Sequence, residues 1–299
     1  MTISSGLNWN DTRCIVCMQE ADLSIEHIIP RSFGGILTCR FLCKSCNERF
    51  GAGFEADARI APEIRKAAGQ HGESISDLRD RLEVGARYKQ SFGDNDRTAE
   101  LRKDRVLGAA KLNDSSLIVP EMEAAQKIRS ILGKSGASDR EINSAVKTWE
   151  AAPPNTEVDL GHGVFIKRWQ NHPARPTYDE PALSPLVPLK IAFEFVSLIL
   201  GGAVYLRNHT LQEVRRILTD QDEASADALI EVGLATASAP FHGIAFQGNR
   251  PNAQVQVRLF GTLSFTVEFP DSGIKTAPIT YTHDLRTGVD EIRSKARDR

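Results

Sequence analysis

Four cysteines stand in two Cys-x-x-Cys pairs, Cys14 with Cys17 and Cys43 with Cys46. Each pair can present two thiolates to one ion, and zinc held by four sulfurs in a tetrahedron is the closed, structural arrangement. The fifth cysteine, Cys39, lies in the same stretch, and no cysteine occurs after Cys46. A disulfide framework would spread cysteines across the fold, whereas this clustering points to metal. Cys39 has no partner in the pattern and reads as a spare buried thiol. The insert from residue 18 to residue 42 is too long for a simple zinc ribbon, so something further must be built between the pairs. So short a module buries little apolar surface, and metal binding would supply the missing folding energy.

The insert carries Ser24-Ile25-Glu26-His27-Ile28-Ile29-Pro30-Arg31-Ser32-Phe33-Gly34-Gly35, and Asn47 follows Cys46 directly. In this order of Cys-x-x-Cys, Glu-His-Ile-Ile-Pro and Cys-x-x-Cys-Asn, residues 12–55 resemble the HNH endonuclease family. The resemblance implies a ββα-metal module: a hairpin with Glu26 and His27, a loop through Gly34-Gly35, and a helix from near Cys46 that returns Asn47 to the hairpin. It further implies that His27 is the general base that deprotonates water. Glu26 and Asn47 would bind one catalytic cation, Mg²⁺ or Mn²⁺. DNA is the implied substrate with RNA also compatible, and the implied products carry 5′-phosphate and 3′-hydroxyl ends.

Elementary chemistry agrees with those roles. Phosphodiester hydrolysis needs an activated water and a cation to neutralise charge on the phosphate and the leaving oxygen. A histidine near its ordinary pKa is a natural base at neutral pH. Oxygen donors suit a hard cation and thiolates suit zinc, so two metals sort onto two ligand sets. Neighbouring residues on a strand face opposite ways, so Glu26 and His27 require a twisted or bulged strand end to address one phosphate. Two departures from the commoner family pattern stand out. Glu26 replaces an aspartate, and Leu37-Thr38-Cys39-Arg40 occupies the place of the loop asparagine that orients the base, with Thr38 the nearest substitute. Arg31, Arg40, Lys44 and Arg49 cluster here and are candidates to grip phosphates.

The rest of the chain must position these groups. The overall class is α+β: the ββα zinc module over residues 1–70, then a mixed α+β accessory region over 71–299 with a sub-boundary near 150–180. Helices are expected over Ala56–Gly69, Ser74–Val84, Pro120–Leu132 and Ser138–Trp149, the last with a Ser138/Glu141 capping box. Strands are expected over Arg87–Phe92, Ser115–Val119 and Val164–Trp169, with turns at Gly93-Asp94-Asn95 and Asn113-Asp114. Val255, Val257, Leu259, Leu263, Phe265, Val267 and Phe269 all fall on odd positions around Gly261, the pattern of a hairpin with one buried face. Leu186–Leu206 is strongly apolar, but Lys190 and Glu194 interrupt it, so it reads as a buried helix that stops at Gly201-Gly202. The remaining histidines show no metal-ligand spacing, and Tyr281-Thr282-His283-Asp284 reads as polar loop.

Composition bounds the function classes. A net charge of −2 provides no global attraction for nucleic acid, so any polyanion contact must be local. The polar N-terminus lacks a secretory core, and a cytoplasmic protein is expected. Analogy with free-standing nucleases suggests antiviral defence or restriction, with residues 71–299 serving oligomerisation, substrate choice or a regulatory partner. The rival reading is a non-catalytic zinc-dependent nucleic-acid-binding or interaction module. A redox or zinc-sensing regulator is a weaker third.

Overall fold

The computed structural model describes residues 9–92, 95–103, 107–108, 110–111, 116–119, 121–154, 156–168, 175–176, 181–205, 208–248 and 252–294. The fold is mixed α+β and gathers into two compact units, residues 1–82 with 181–299, and residues 83–180. The first unit opens on a hairpin of strands β1 (Leu23–His27) and β2 (Thr38–Cys43). Helices α1 (Lys44–Ala52) and α2 (Phe54–Ile60) follow. The expected Ala56–Gly69 helix is in fact two, α2 and Pro62–Gly69. Proline at 62 disfavours helical geometry in the residue before it, and Ala61 is accordingly extended at φ −55°, ψ 137°.

The hairpin's connection turns sharply. Gly34 sits at φ +91° after the short 3-10 turn Arg31–Phe33. At Gly35 a Cβ would lie 2.0 Å from the Ile29 carbonyl oxygen, so no larger residue fits. That close approach returns the chain to begin β2 opposite β1.

After residue 180 the chain enters the central helix, Leu186–Tyr205. Leu186, Val187, Leu189, Ile191, Ala192, Phe193, Phe195 and Val196 are all buried. Helical geometry breaks at Gly201 (φ 67°, ψ 169°), where a stop was expected, and resumes beyond it. Among the described residues no helix is long and apolar enough to cross a membrane.

A six-stranded antiparallel sheet packs against the central helix. Its order is Ile230–Leu234, Leu263–Phe269, Ala253–Leu259, Phe241–Gln247, Ile279–Asp284 and Asp290–Ser294. The odd-position hairpin forms as expected, with Val255 opposite Val267 and Val257 opposite Phe265. Tyr281-Thr282-His283-Asp284 is not loop but part of a strand. The reason is period-two alternation: Ile279, Tyr281 and His283 face inward and are buried. One apolar core joins the cysteine segment, the central helix and this sheet, running from Cys14 to Tyr281.

In the second unit, helices Glu121–Lys134 and Asp139–Ala151 bury Ile128, Leu132, Ile142, Ala145, Val146 and Trp149 together. The Ser138/Glu141 capping box is present, with both side chains engaged. Two small sheets accompany them, one from Asn95–Glu100, Arg87–Phe92 and Arg175–Pro176 and one from Ala110–Lys111, Ser116–Ile118, Phe165–Lys167 and Glu157–Asp159. Gly93, Asp94, Asn113, Asp114, Pro120 and Trp169 lie outside the described residues.

A histidine ties the first unit's turn to its sheet. His242 is fully buried, and its Nε2 lies 2.9 Å from the Phe33 carbonyl while its Nδ1 accepts the Phe260 N–H at 3.3 Å. Both bonds require a neutral ring protonated at Nε2. Burial, opposed by the bond to the Phe33 carbonyl and aided by the charge of His283, whose ring centroid is 6.1 Å away, lowers the His242 pKa to about 4. A histidine depressed in the folded state stabilises fully above its unfolded pKa of about 6.5 and loses that contribution as pH falls towards 4. The full shift corresponds to about 3 kcal/mol. Urea denaturation followed from pH 7 to pH 4 should therefore show a loss of this order in the wild type that is absent in His242→Gln. Parallel pH profiles for the two proteins would contradict the assignment.

Candidate active site and zinc site

The first Cys pair lies in a tight loop closed by an antiparallel bridge between Arg13 and Glu20. Within it the Cys14 N–H donates to the Gln19 carbonyl and the Met18 N–H to the Cys14 carbonyl, each at 3.0 Å, and the Val16 N–H points at Cys14 Sγ at 3.4 Å. The second pair straddles a strand end and a helix start, with Cys43 as the N-cap of α1 and Cys46 in its first turn. Helix N-termini favour thiolates there. The Ile15 N–H donates to the Phe41 carbonyl at 2.9 Å, joining one loop to the other's strand.

The four Sγ atoms of Cys14, Cys17, Cys43 and Cys46 lie within 4.8 Å of one another. Those of Cys17 and Cys43 are 3.7 Å apart. A tetrahedron with zinc–sulfur bonds of about 2.3 Å has edges of about 3.8 Å, so these four cysteines are positioned to bind a zinc ion. Cys39 is outside the cluster, on β2 opposite Glu26, and burial pushes its thiol up to about 11.

A bulge controls how the hairpin presents Glu26 and His27. The β1–β2 register slips between Ser24 and Ile25: Ser24 pairs with Leu42 and Ile25 with Arg40, leaving Phe41 over. Bulges re-aim the side chains that follow. Here Glu26 and His27 line the same cleft of about 380 Å³, together with Asn47, Ile25, Arg31, Glu55 and Arg59. Asn47, in α1, fastens the helix to the bulge: its Nδ2 donates to Ser24 Oγ at 3.0 Å and to the Ile25 carbonyl at 3.1 Å. Among the described residues none donates to its Oδ1.

His27 is half-buried. Burial lowers its pKa, and the positive charges of Arg31 and Lys190 lower it further, so the ring is neutral at neutral pH. Thr38 is its cross-strand neighbour but is exposed and makes no hydrogen bond to the ring. Of the four basic residues expected at phosphates, only Arg31 lines the cleft. Arg40 donates to the Leu23 carbonyl, Lys44 pairs with Glu48 at 3.7 Å, and Arg49 lies over the Phe50 ring at 5.6 Å. Arg59 lines the cleft without having been singled out in the sequence.

Lys190, which no motif links to the site, lies at its centre. Its ammonium is completely buried and ion-paired with Glu26, with Glu55 at 2.8 Å and with Glu194 at 3.1 Å. It also donates to the His27 carbonyl at 3.2 Å. Burial opposes its charge, but the three carboxylates prevail and raise its pKa, so it stays an ammonium. Burial pushes Glu26 up against the pull of Lys190, and pushes Glu194 up strongly. The signal was present in the sequence as Lys190 and Glu194, one helical turn apart inside the most apolar run of the chain.

The cleft's donors fit a hard divalent cation. Glu26 and Glu55 offer carboxylate oxygens and Asn47 an amide oxygen, with Glu55 Oε1 held by the Lys190 ammonium at 2.8 Å.

Metal analysis of the purified chain should find one zinc per molecule, reduced to a small fraction in Cys17→Ser/Cys46→Ser. Thiol titration should show four cysteines protected until a chelator is added. A metal-free wild type with all thiols equally reactive would contradict the site.

Searches of curated proteins and of solved structures give no significant match. A family model described as HNH endonuclease matches residues 14–61. That span holds the four zinc-positioned cysteines, the bulged strand end with Glu26 and His27, and Asn47, so the match to the HNH endonuclease family falls on the residues of both sites.

Proposed function

We propose that the chain is a metal-dependent endonuclease that hydrolyses phosphodiester bonds, with DNA as the substrate. The observation that carries this reading is the convergence of Glu26, His27 and Asn47 on one cleft, produced by the bulge and by the Asn47 tie. His27, neutral and half-buried, takes a proton from water as the water oxygen attacks phosphorus. The bond from phosphorus to the 3′-oxygen breaks, and that oxygen gains a proton from solvent, leaving 5′-phosphate and 3′-hydroxyl ends. Glu26 and Asn47 would hold Mg²⁺ or Mn²⁺, which when bound neutralises charge on the phosphate and the leaving oxygen. Arg31 and Arg59 at the cleft suit contacts to neighbouring phosphates.

The rival, a zinc module that binds nucleic acid or a partner without cutting, draws support from Glu26 being already engaged by Lys190. Plasmid nicking with Mg²⁺ or Mn²⁺ separates the two. Wild type should nick, and His27→Ala should retain zinc while losing about 10²- to 10⁴-fold in rate, the range for a general base. Equal rates in both proteins, or no nicking of DNA or RNA by wild type with either metal, would exclude the nuclease.

A further inference from the structure

Stability alone does not account for the charges at the centre of the first unit. Replacing a buried ion pair by well-packed apolar side chains is commonly neutral or stabilising. Yet the central helix, apolar around its whole circumference, places Lys190 and Glu194 directly behind the hairpin end. Lys190 Nζ donates to two consecutive residues of β1, the Glu26 carboxylate through Oε1 and the His27 main chain through its carbonyl. It thereby constrains both the side chain of the first and the backbone of the second. With Oε1 engaged, Oε2 is the Glu26 oxygen that no side chain among the described residues bonds. The same ammonium meets Glu55, the second carboxylate of the cleft. Glu194 lies on its other contact, where it neutralises the helix's own lysine without reaching the cleft lining.

Resting on the nuclease reading above, we propose that Lys190 is a positioning residue of the site, aiming Glu26 and Glu55 into the cleft and fixing the backbone of His27. The cleft would then be composite: one wall from residues 23–59 and its buried brace from a helix that begins after residue 180.

The test compares zinc-loaded wild type, Lys190→Met and Lys190→Met/Glu194→Met. The single variant strands Glu194 in the interior, whereas the double removes both charges and keeps an apolar filling. Zinc content and thermal unfolding report on the fold, Mn²⁺ binding by electron paramagnetic resonance reports on the carboxylates, and plasmid nicking reports on the reaction. The double variant should keep its zinc and a cooperative transition, yet bind Mn²⁺ and nick DNA about 10- to 100-fold less well, as for groups that orient metal ligands. A folded double variant with wild-type Mn²⁺ affinity overturns the positioning role, whether or not wild type cuts. Wild type that binds Mn²⁺ but cuts neither DNA nor RNA, beside a double variant that binds it poorly, removes the nuclease reading and keeps the positioning role. Wild type that does neither removes both.

Discussion

An ammonium enclosed by three carboxylates sets the terms for the first unit. Moving an ion out of water costs several kcal/mol even after the protein relaxes, and only close partners can offset that. Lys190 has those partners from three places in the sequence: Glu26 on β1, Glu55 on α2 and Glu194 on its own helix. Removing one member of such a cluster typically costs on the order of 3–5 kcal/mol, because a charge is left without compensation. Hairpin, second helix and central helix are therefore coupled in a way that apolar packing, tolerant of exchange among similar side chains, would not impose.

The other fixed point is the sulfur cluster, and the two divide the work. Four thiolates hold the ends of the hairpin insert, since Cys14 and Cys17 precede β1 while Cys43 and Cys46 close β2 and open α1. Asn47 adjoins the last sulfur, so a zinc bound there would fix the helix start beside the point where the Asn47 amide meets the bulge. Soft donors thus build the frame. The hard oxygen donors face a separate cleft, so neither ligand set competes for the other's ion.

The sequence disclosed what is local and concealed what is distant. Two Cys-x-x-Cys pairs, Glu26-His27 and Asn47 are short-range patterns with their own chemistry, and the odd-position apolar residues around Gly261 define a hairpin by alternation alone. The bulge was anticipated as a geometric need, but its position between Ser24 and Ile25 depends on Phe41 being drawn into the core. Lys190 was visible only as an interruption in an apolar run, since no rule of spacing connects it to a strand more than 160 residues earlier. The same holds for His242, whose partners at Phe33 and Phe260 come from a turn and a hairpin end that only folding unites. Surface arginines were the least legible: Arg40 and Arg49 found local partners, while Arg59 lines the cleft from the last turn of α2.

If Lys190 aims Glu26, the second oxygen of that carboxylate is the one a cation in the cleft would meet. A crystal of the zinc-loaded protein soaked in Mn²⁺, with anomalous scattering recorded at the manganese edge, tests it most directly. A manganese peak is expected in the cleft within bonding distance of a Glu26 carboxylate oxygen, with the Lys190 ammonium still against the other. Manganese bound elsewhere, or bound at Glu26 only after Lys190 has swung away, would contradict it.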